Sequence, residues 1–432
     1  MGKIRDEDVL IEEELEITAL TGGRAPIQIP DRVASIFPAL AHRNYQLYFV
    51  GQGISLVGFW LQAVSIGWVS FQLTGSPLFV GLVAAAGGLP FLLFSTLAGV
   101  FIDKTDKQRL IVWTQVAEAA IAAILGLLVL TDAITTVTLL ALAFCSGVIG
   151  AIDLPARQAF TVEMIGKKDL PSAISINVGV FNAARFVGPA LAGLLIANFG
   201  PGWSFILNAL SYIPAILAIM AIRVVYQLKA QVDTHPWQSL KDGLAYSFTN
   251  KKLAYFMLLG AAAAIFIWPF QTLMPVVAER VFAAGANGLG SLLAASGLGS
   301  LAGAIFVSSQ THRENKKQFI FLGLFMCTTS LLLFALSRNF LLSHLLLFTA
   351  GFGLITYIST VNTLVQILAP DHMRGRITAV YLTMFVGMMP IGSFLSGLVA
   401  QRTSAAFAIG LGATLVFLLT GFLYSTKSLD HI

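Results

Sequence analysis

Long apolar runs separated by short polar breaks dominate the chain. Residues 44–102 contain no Asp, Glu, Lys or Arg, about twice the roughly 20 residues one helix needs to cross ~30 Å of hydrocarbon. Thr74-Gly75-Ser76-Pro77 divides that stretch at a turn, because Gly closes helices and Pro opens them. Asn198-Phe199-Gly200-Pro201-Gly202 divides the uncharged stretch 186–222 in the same way. The pattern predicts twelve spans, at 46–73, 77–102, 108–131, 135–157, 172–198, 202–222, 253–280, 286–310, 318–337, 340–368, 377–401 and 404–425.

Composition agrees with a bilayer as the main solvent. Of 432 residues, 57% are hydrophobic and 11% charged, where soluble domains carry about 25% charged residues. The net charge of +5 does not point to nucleic acid, because the basic residues sit in short clusters between apolar runs and act as topology signals. The N-tail, the even-to-odd connections and the C-tail hold 22 of the 26 Lys and Arg. Arg280, Arg338 and Arg402 fall on the opposite side, and Arg185 lies inside a span. Both termini are therefore expected in the cytoplasm, which requires an even number of crossings. Cys145 and Cys327 lie in apolar runs and suit small packing residues, with no disulfide or metal framework.

The chain also repeats itself. Leu97-Ala98-Gly99 ends the second span and Leu301-Ala302-Gly303 falls in the eighth, 204 residues later. Gly193 and Gly397, in the fifth and eleventh spans, share that offset, each behind an acidic connector (Asp169, Asp371). An even six-helix unit repeated in parallel relates the halves by an axis along the membrane normal. The expected organisation is a cytoplasmic, largely disordered tail at 1–43, a six-helix bundle at 44–222, a cytoplasmic linker at 223–252, a second six-helix bundle at 253–425 and a cytoplasmic tail at 426–432. Trp237, Leu240, Leu244 and Phe248 fall on one helical face of the linker, with Lys241 and Asp242 elsewhere, which suits an amphipathic helix at the membrane surface.

Two stretches carry chemistry. In the connection between spans two and three stand Gly99, Asp103, Lys104, Asp106, Lys107 and Arg109. There Gly99 would let helices approach closely, and Asp103 would cap the next helix or pair with a base. In the fifth span stands Asn182-Ala-Ala-Arg185-Phe-Val-Gly188-Pro189-Ala-Leu-Ala-Gly193. Gly188 and Gly193 thin that helix, and Pro189 frees a backbone carbonyl. Arg185 sits about mid-span, where an unpaired cation costs on the order of 2.5–3.5 kcal/mol. Glu118 of the third span lies at similar depth by helix rise. Two readings stay open: a static Arg185–Glu118 pair, or Glu118 as a titratable proton carrier with Arg185 meeting an anionic substrate.

The loop resembles that of the major facilitator superfamily, in which a glycine is followed four residues on by an aspartate and then by alternating basic residues. Asp106 stands where the family usually has a second glycine, and the counterpart at 311–317 keeps only the charge. The resemblance implies a latch between the halves, with Asp103 and Lys107 relaying charge to an acid on the fourth span, for which Asp153 is the candidate. The fifth-span stretch resembles the glycine-proline motif of the superfamily's exporters, implying efflux. Asn44-Tyr-Gln-Leu-Tyr-Phe-Val-Gly51-Gln52, Leu73-Thr-Gly-Ser-Pro77, Leu154-Pro155-Ala-Arg157-Gln158-Ala and Met373-Arg374-Gly375-Arg376 resemble the bacterial branch of enterobactin-type siderophore exporters and macrolide-efflux-like carriers. By this resemblance the pathway is lined by spans one, four, seven and ten. Polar candidates there are Gln52, Gln62, Gln271, Tyr357, Asn362 and Gln366, with Trp60, Trp68, Phe266, Trp268 and Phe270 as aromatic neighbours. An aromatic-lined cavity with few charges suits a bulky amphipathic ligand.

No Gly-x-Ser-x-Gly, no His-Glu-x-x-His, no phosphate-binding loop and no metal-spaced His pair within a span is present. The expectation is therefore an all-α membrane protein of twelve transmembrane helices in two pseudo-symmetric six-helix bundles, not an enzyme and without cofactor or metal. It would work as a monomeric, proton-coupled antiporter exporting a drug or siderophore by alternating access across the inner membrane of a bacterium. A lipid or lysolipid flippase of the same fold is the alternative, and a membrane enzyme a more distant one.

Overall fold

The computed structural model describes residues 30, 36–166, 168–223, 236–310, 316–370 and 373–426. Twelve helices among them are long and apolar enough to cross a membrane, and the described residues contain no strand. The spans are Arg43–Thr74, Pro77–Asp103, Lys107–Leu130, Thr136–Ile165, Leu170–Phe199, Pro201–Ala221, Lys251–Arg280, Gly285–Ser309, Lys316–Leu336, Phe340–Leu368, Arg374–Arg402 and Ala405–Ser425. Their ends follow from local chemistry. Gly75, in the left-handed region at φ 63°, ends the first span, and Ser76 accepts a hydrogen bond from Phe79 N at 3.2 Å to start the second. Asp106 caps the third span by accepting from Arg109 N, a role expected of Asp103.

Two features depart from the sequence reading. The fourth span runs past residue 157 to Ile165, so Arg157 is a buried helical residue rather than a loop cation. Ala156, Phe160, Thr161 and Met164 continue the buried stripe at helical spacing. The seventh and eleventh spans are interrupted. In the seventh, a helix over Lys251–Ala262 passes into a π turn at Ala263–Ile267, a 3-10 turn at Trp268–Phe270 and a last helix over Met274–Arg280. The eleventh breaks between Arg374–Val386 and Met389–Arg402. Pro269, Pro275 and Pro390 supply the missing N–H groups that permit these breaks.

Across the two halves, the fifth span packs on the eighth and the second on the eleventh, and glycines make both seams. A Cβ added at Gly193 would lie 2.8 Å from Gly290 Cα, and one at Gly397 would lie 3.1 Å from Gly81 Cα. The two glycines sharing an offset in the sequence thus occupy equivalent seams. Gly99 does not follow its own counterpart. Gly303 lies against the Phe352 carbonyl of the tenth span, while a Cβ at Gly99 would meet nothing within 4 Å among the described residues, so Gly99 makes no close helix approach among them. The largest apolar core crosses the seams, joining Leu61, Trp68, Phe71 and Ile196 to the second half.

At the face carrying the 74–77 turn the halves are also tied by polar contacts. Ser76 Oγ donates to Gln401 Oε1 at 2.9 Å, and Arg280 Nη2 donates to the Gly75 carbonyl at 2.5 Å. The Arg280 guanidinium lies 5.3 Å from the Phe71 ring centroid. In the linker, Pro236–Thr249 is helical and docks on the start of the eleventh span, with Arg376 Nη1 3.3 Å from Asp242 Oδ2. Leu244, Phe248 and also Lys241 face outward. The side chains of Trp237 and Leu240, the acidic residues Glu12, Glu13, Glu14 and Glu16 of the N-terminal tail, residues 311–315, Asp371 and the tail at 427–432 lie outside the described residues.

Candidate functional site

The fifth span brings its unusual residues to the boundary between the halves. Asn182, Arg185, Gly188, Pro189, Ala192, Gly193 and Ile196 form its buried face, at the three- and four-residue spacing of one helical stripe. A Cβ at Gly188 would lie 2.4 Å from Trp60 Cβ, so the missing side chain admits the first span. Pro189 has no N–H to donate to the Arg185 carbonyl, which therefore stands outside the helix ladder. Gly297 of the eighth span lies against that carbonyl instead, its added Cβ 2.5 Å from the oxygen.

Arg185 is 3% exposed and makes no ion pair or hydrogen bond among the described residues, with Nη2 enclosed and unpartnered. Its guanidinium lies 5.8 Å from the Trp60 ring and 5.0 Å from the Trp268 ring. One indole comes from each half, so the cation bridges the boundary through aromatic faces. Trp60 packs edge-on against Phe181 at 5.6 Å, and Trp268 against Phe385 at 5.9 Å. Phe385 stacks on Tyr381 at 6.3 Å. An aromatic chain thus runs from the first span through the fifth and seventh to the eleventh. Trp268 owes its position to the π and 3-10 turns of the seventh span.

Several sequence candidates carry buried polar atoms with no hydrogen-bond partner: Gln52 Oε1, Trp60 Nε1, Gln271 Nε2 and Tyr357 OH, to which the structure adds Tyr381 OH. Such orphans are rare in folded proteins and call for an explanation. Other candidates stand elsewhere. Gln62 Oε1 accepts from Asn208 Nδ2 at 2.9 Å and faces the sixth span. Gln366 is exposed and contacts Asn362 at 3.4 Å. Trp68 and Phe270 are buried in the apolar core, while Phe266 is partly exposed.

Glu118 does not meet Arg185. The third span packs on the fourth and sixth, the fifth on the first and eighth, so equal depth did not place the two side chains face to face. Ser146 Oγ of the fourth span instead lies 2.9 and 3.0 Å from the Glu118 oxygens, and Glu118 is 8% exposed.

In the loop between spans two and three the acid facing Lys107 is Glu163, at 2.7 Å, rather than Asp153. Ten helical residues, ~15 Å of rise, separate these two acids, and only the longer fourth span brings one to loop level. Asp153 is held by Arg157 Nε, by Thr114 Oγ1 at 2.5 Å and by Gln115 Nε2 at 3.4 Å. Arg109 pairs with Asp106 at 3.2 Å, and Lys104 is exposed. The Asp103 side chain lies outside the described ones. Sequence reasoning missed Glu163, Arg157, Thr114 and Ser146; the i,i+4 spacing of Asp153 and Arg157 was the available signal for the second.

The model of the transmembrane secretion effector family matches residues 34–431. The staphyloferrin A transporter of Staphylococcus aureus is 23% identical over 82% of this chain and 89% of its own. The multidrug efflux pump Tap of Mycolicibacterium fortuitum is 25% identical over 88% and 94%, and the enterobactin exporter of Shigella boydii 24% identical over 87% and 90%. Among solved structures, a mutant of the nucleoside transporter NupG superposes with a TM-score of 0.71 over 89% of this chain and 99% of that one, at 13% identity, a likeness of fold alone. The chain is thus a multi-pass membrane protein of the transmembrane secretion effector family, within the major facilitator superfamily of transporters.

Proposed function

We propose that the chain exports a bulky amphipathic small molecule by alternating access, driven by protons. The observation that carries this reading is the buried Arg185 held between Trp60 and Trp268 of opposite halves, with Arg185 Nη2 and Trp60 Nε1 both left without partners. A group that a fold of this size leaves unsatisfied at the boundary of two moving bodies is suited to a guest present only in part of the cycle. Relatives whose names state drug efflux and siderophore export support the outward direction. Glu118, buried and held among the described residues by the Ser146 hydroxyl, is the proton carrier in this scheme. With both termini in the cytoplasm, the Lys107–Glu163 pair sits on the cytoplasmic side, and Glu163 takes the part in the charge relay that was expected of Asp153.

Inverted vesicles containing the full chain, supplied with amphipathic drugs and siderophores under an inward-acid gradient, test the reading. Saturable accumulation that a protonophore abolishes is expected, and Glu118→Gln should remove the dependence on the gradient. Movement that rises linearly with concentration would indicate a pore. A Glu118→Gln protein that still follows the gradient would remove the proton role.

A further inference from the structure

The site has a preferred charge. Arg185 brings a permanent cation to the boundary of the halves, and no carboxylate among the described residues neutralises it. The unpartnered atoms of the first, fifth and seventh spans are mostly donors: Trp60 Nε1, Arg185 Nη2 and Gln271 Nε2, against Gln52 Oε1 as acceptor. Gln271 follows Trp268 by one tight turn, its N–H bonded to the Trp268 carbonyl at 3.2 Å. Donors, a cation and two indoles are complementary to a flat molecule bearing negatively charged oxygens. We infer that the central site selects organic anions that carry an aromatic ring, and that Arg185 sets the charge preference. This deepens the exporter reading above and rests on it.

A neutral guest leaves the guanidinium unpaired in a low-dielectric enclosure. A cationic guest adds a like charge beside it. An aromatic carboxylate or phenolate supplies the missing counter-charge, accepts from the donors and stacks its ring on the indoles. The planar fork of arginine favours two parallel hydrogen bonds to such a group, which a lysine cannot make.

Calorimetric titration of the purified full chain in nanodiscs with 2-naphthoate, 2-naphthamide and 2-naphthylmethylamine tests the inference. The three probes differ mainly in charge. Wild-type protein is expected to bind the carboxylate about tenfold more tightly than either of the others. Arg185→Gln should bring the three to within about twofold. Arg185→Lys should keep the order with a weaker carboxylate, and its thermal transition shows that the protein is folded. Equal binding of the three by wild type, an unchanged preference in Arg185→Gln, or binding of none of them would overturn the inference. Carboxylate preference without any gradient-driven movement in vesicles would instead strike the exporter reading and leave the selectivity standing.

Discussion

Two buried arginines face opposite circumstances. Arg185 has two indole faces and no acid among the described residues, while Arg157 is held by Asp153 within the fourth span. An unpaired cation at mid-span costs about 2.5–3.5 kcal/mol, and two desolvated aromatic contacts at about 2 kcal/mol each return roughly the same amount. Arg185→Met is therefore expected to leave the unfolding midpoint within about 2 °C while removing transport. A lower midpoint would make Arg185 a structural residue. Asp153→Asn, by contrast, destabilises. It strands the Arg157 guanidinium, which costs about 3 kcal/mol, and scanning calorimetry should show a fall of several degrees. The presence of Arg185 within a span was plain from the sequence, because a lone cation in an apolar run cannot be overlooked. Its neighbours were not. Helix rise gives depth, but which way Glu118 points depends on which helices its span packs against.

Helix pairs carry the next level of argument. The fifth–eighth and second–eleventh seams close through glycine against glycine, and both halves must part and meet there if access alternates. Gly290→Val places a side chain against Gly193 Cα, already 2.6 Å from a single added Cβ. Overpacking of this kind costs about 1–3 kcal/mol, enough to disfavour the closed seam. Export should fall about tenfold with expression unchanged, and wild-type rates in this variant would show that the seam does not close during the cycle. The offset between Gly193 and Gly397 made these seams partly readable in advance, since small residues mark close helix approaches in membranes. Gly99 and Gly303 looked equally good as a pair, yet only Gly303 meets another helix. A glycine permits proximity and does not compel it. Prolines at 269, 275 and 390 were visible too, but single prolines also occur inside unbroken spans, as Pro90 and Pro214 do here.

Taken as a whole molecule, the number of spans and the parallel repeat were legible because bilayer thickness imposes a length on every apolar run. Contacts between loops far apart in sequence were not. Arg280 tying Gly75 across the halves is the example. Nothing local to either residue announces it, although Arg280 stood out as one of few basic residues on its side. This tie satisfies a carbonyl at the end of the first span only while that face is closed. Spin labels on Thr131 and Arg338, both exposed at that face, should report longer distances in an Arg280→Ala background. An unchanged distribution would mean that the glycine seams alone hold the face shut.

The π turn at Ala263–Ile267 has a mechanical meaning. Such a turn holds one residue more than an α-helical turn, and the surplus can travel along a helix without breaking the ladder. Each residue that the surplus passes turns by ~100° about the helix axis and shifts by ~1.5 Å along it. Trp268 is the first residue beyond. A slip of the surplus would swing its indole off the guanidinium like the arm of a crank, so release of cargo need not wait for the whole bundle to tilt.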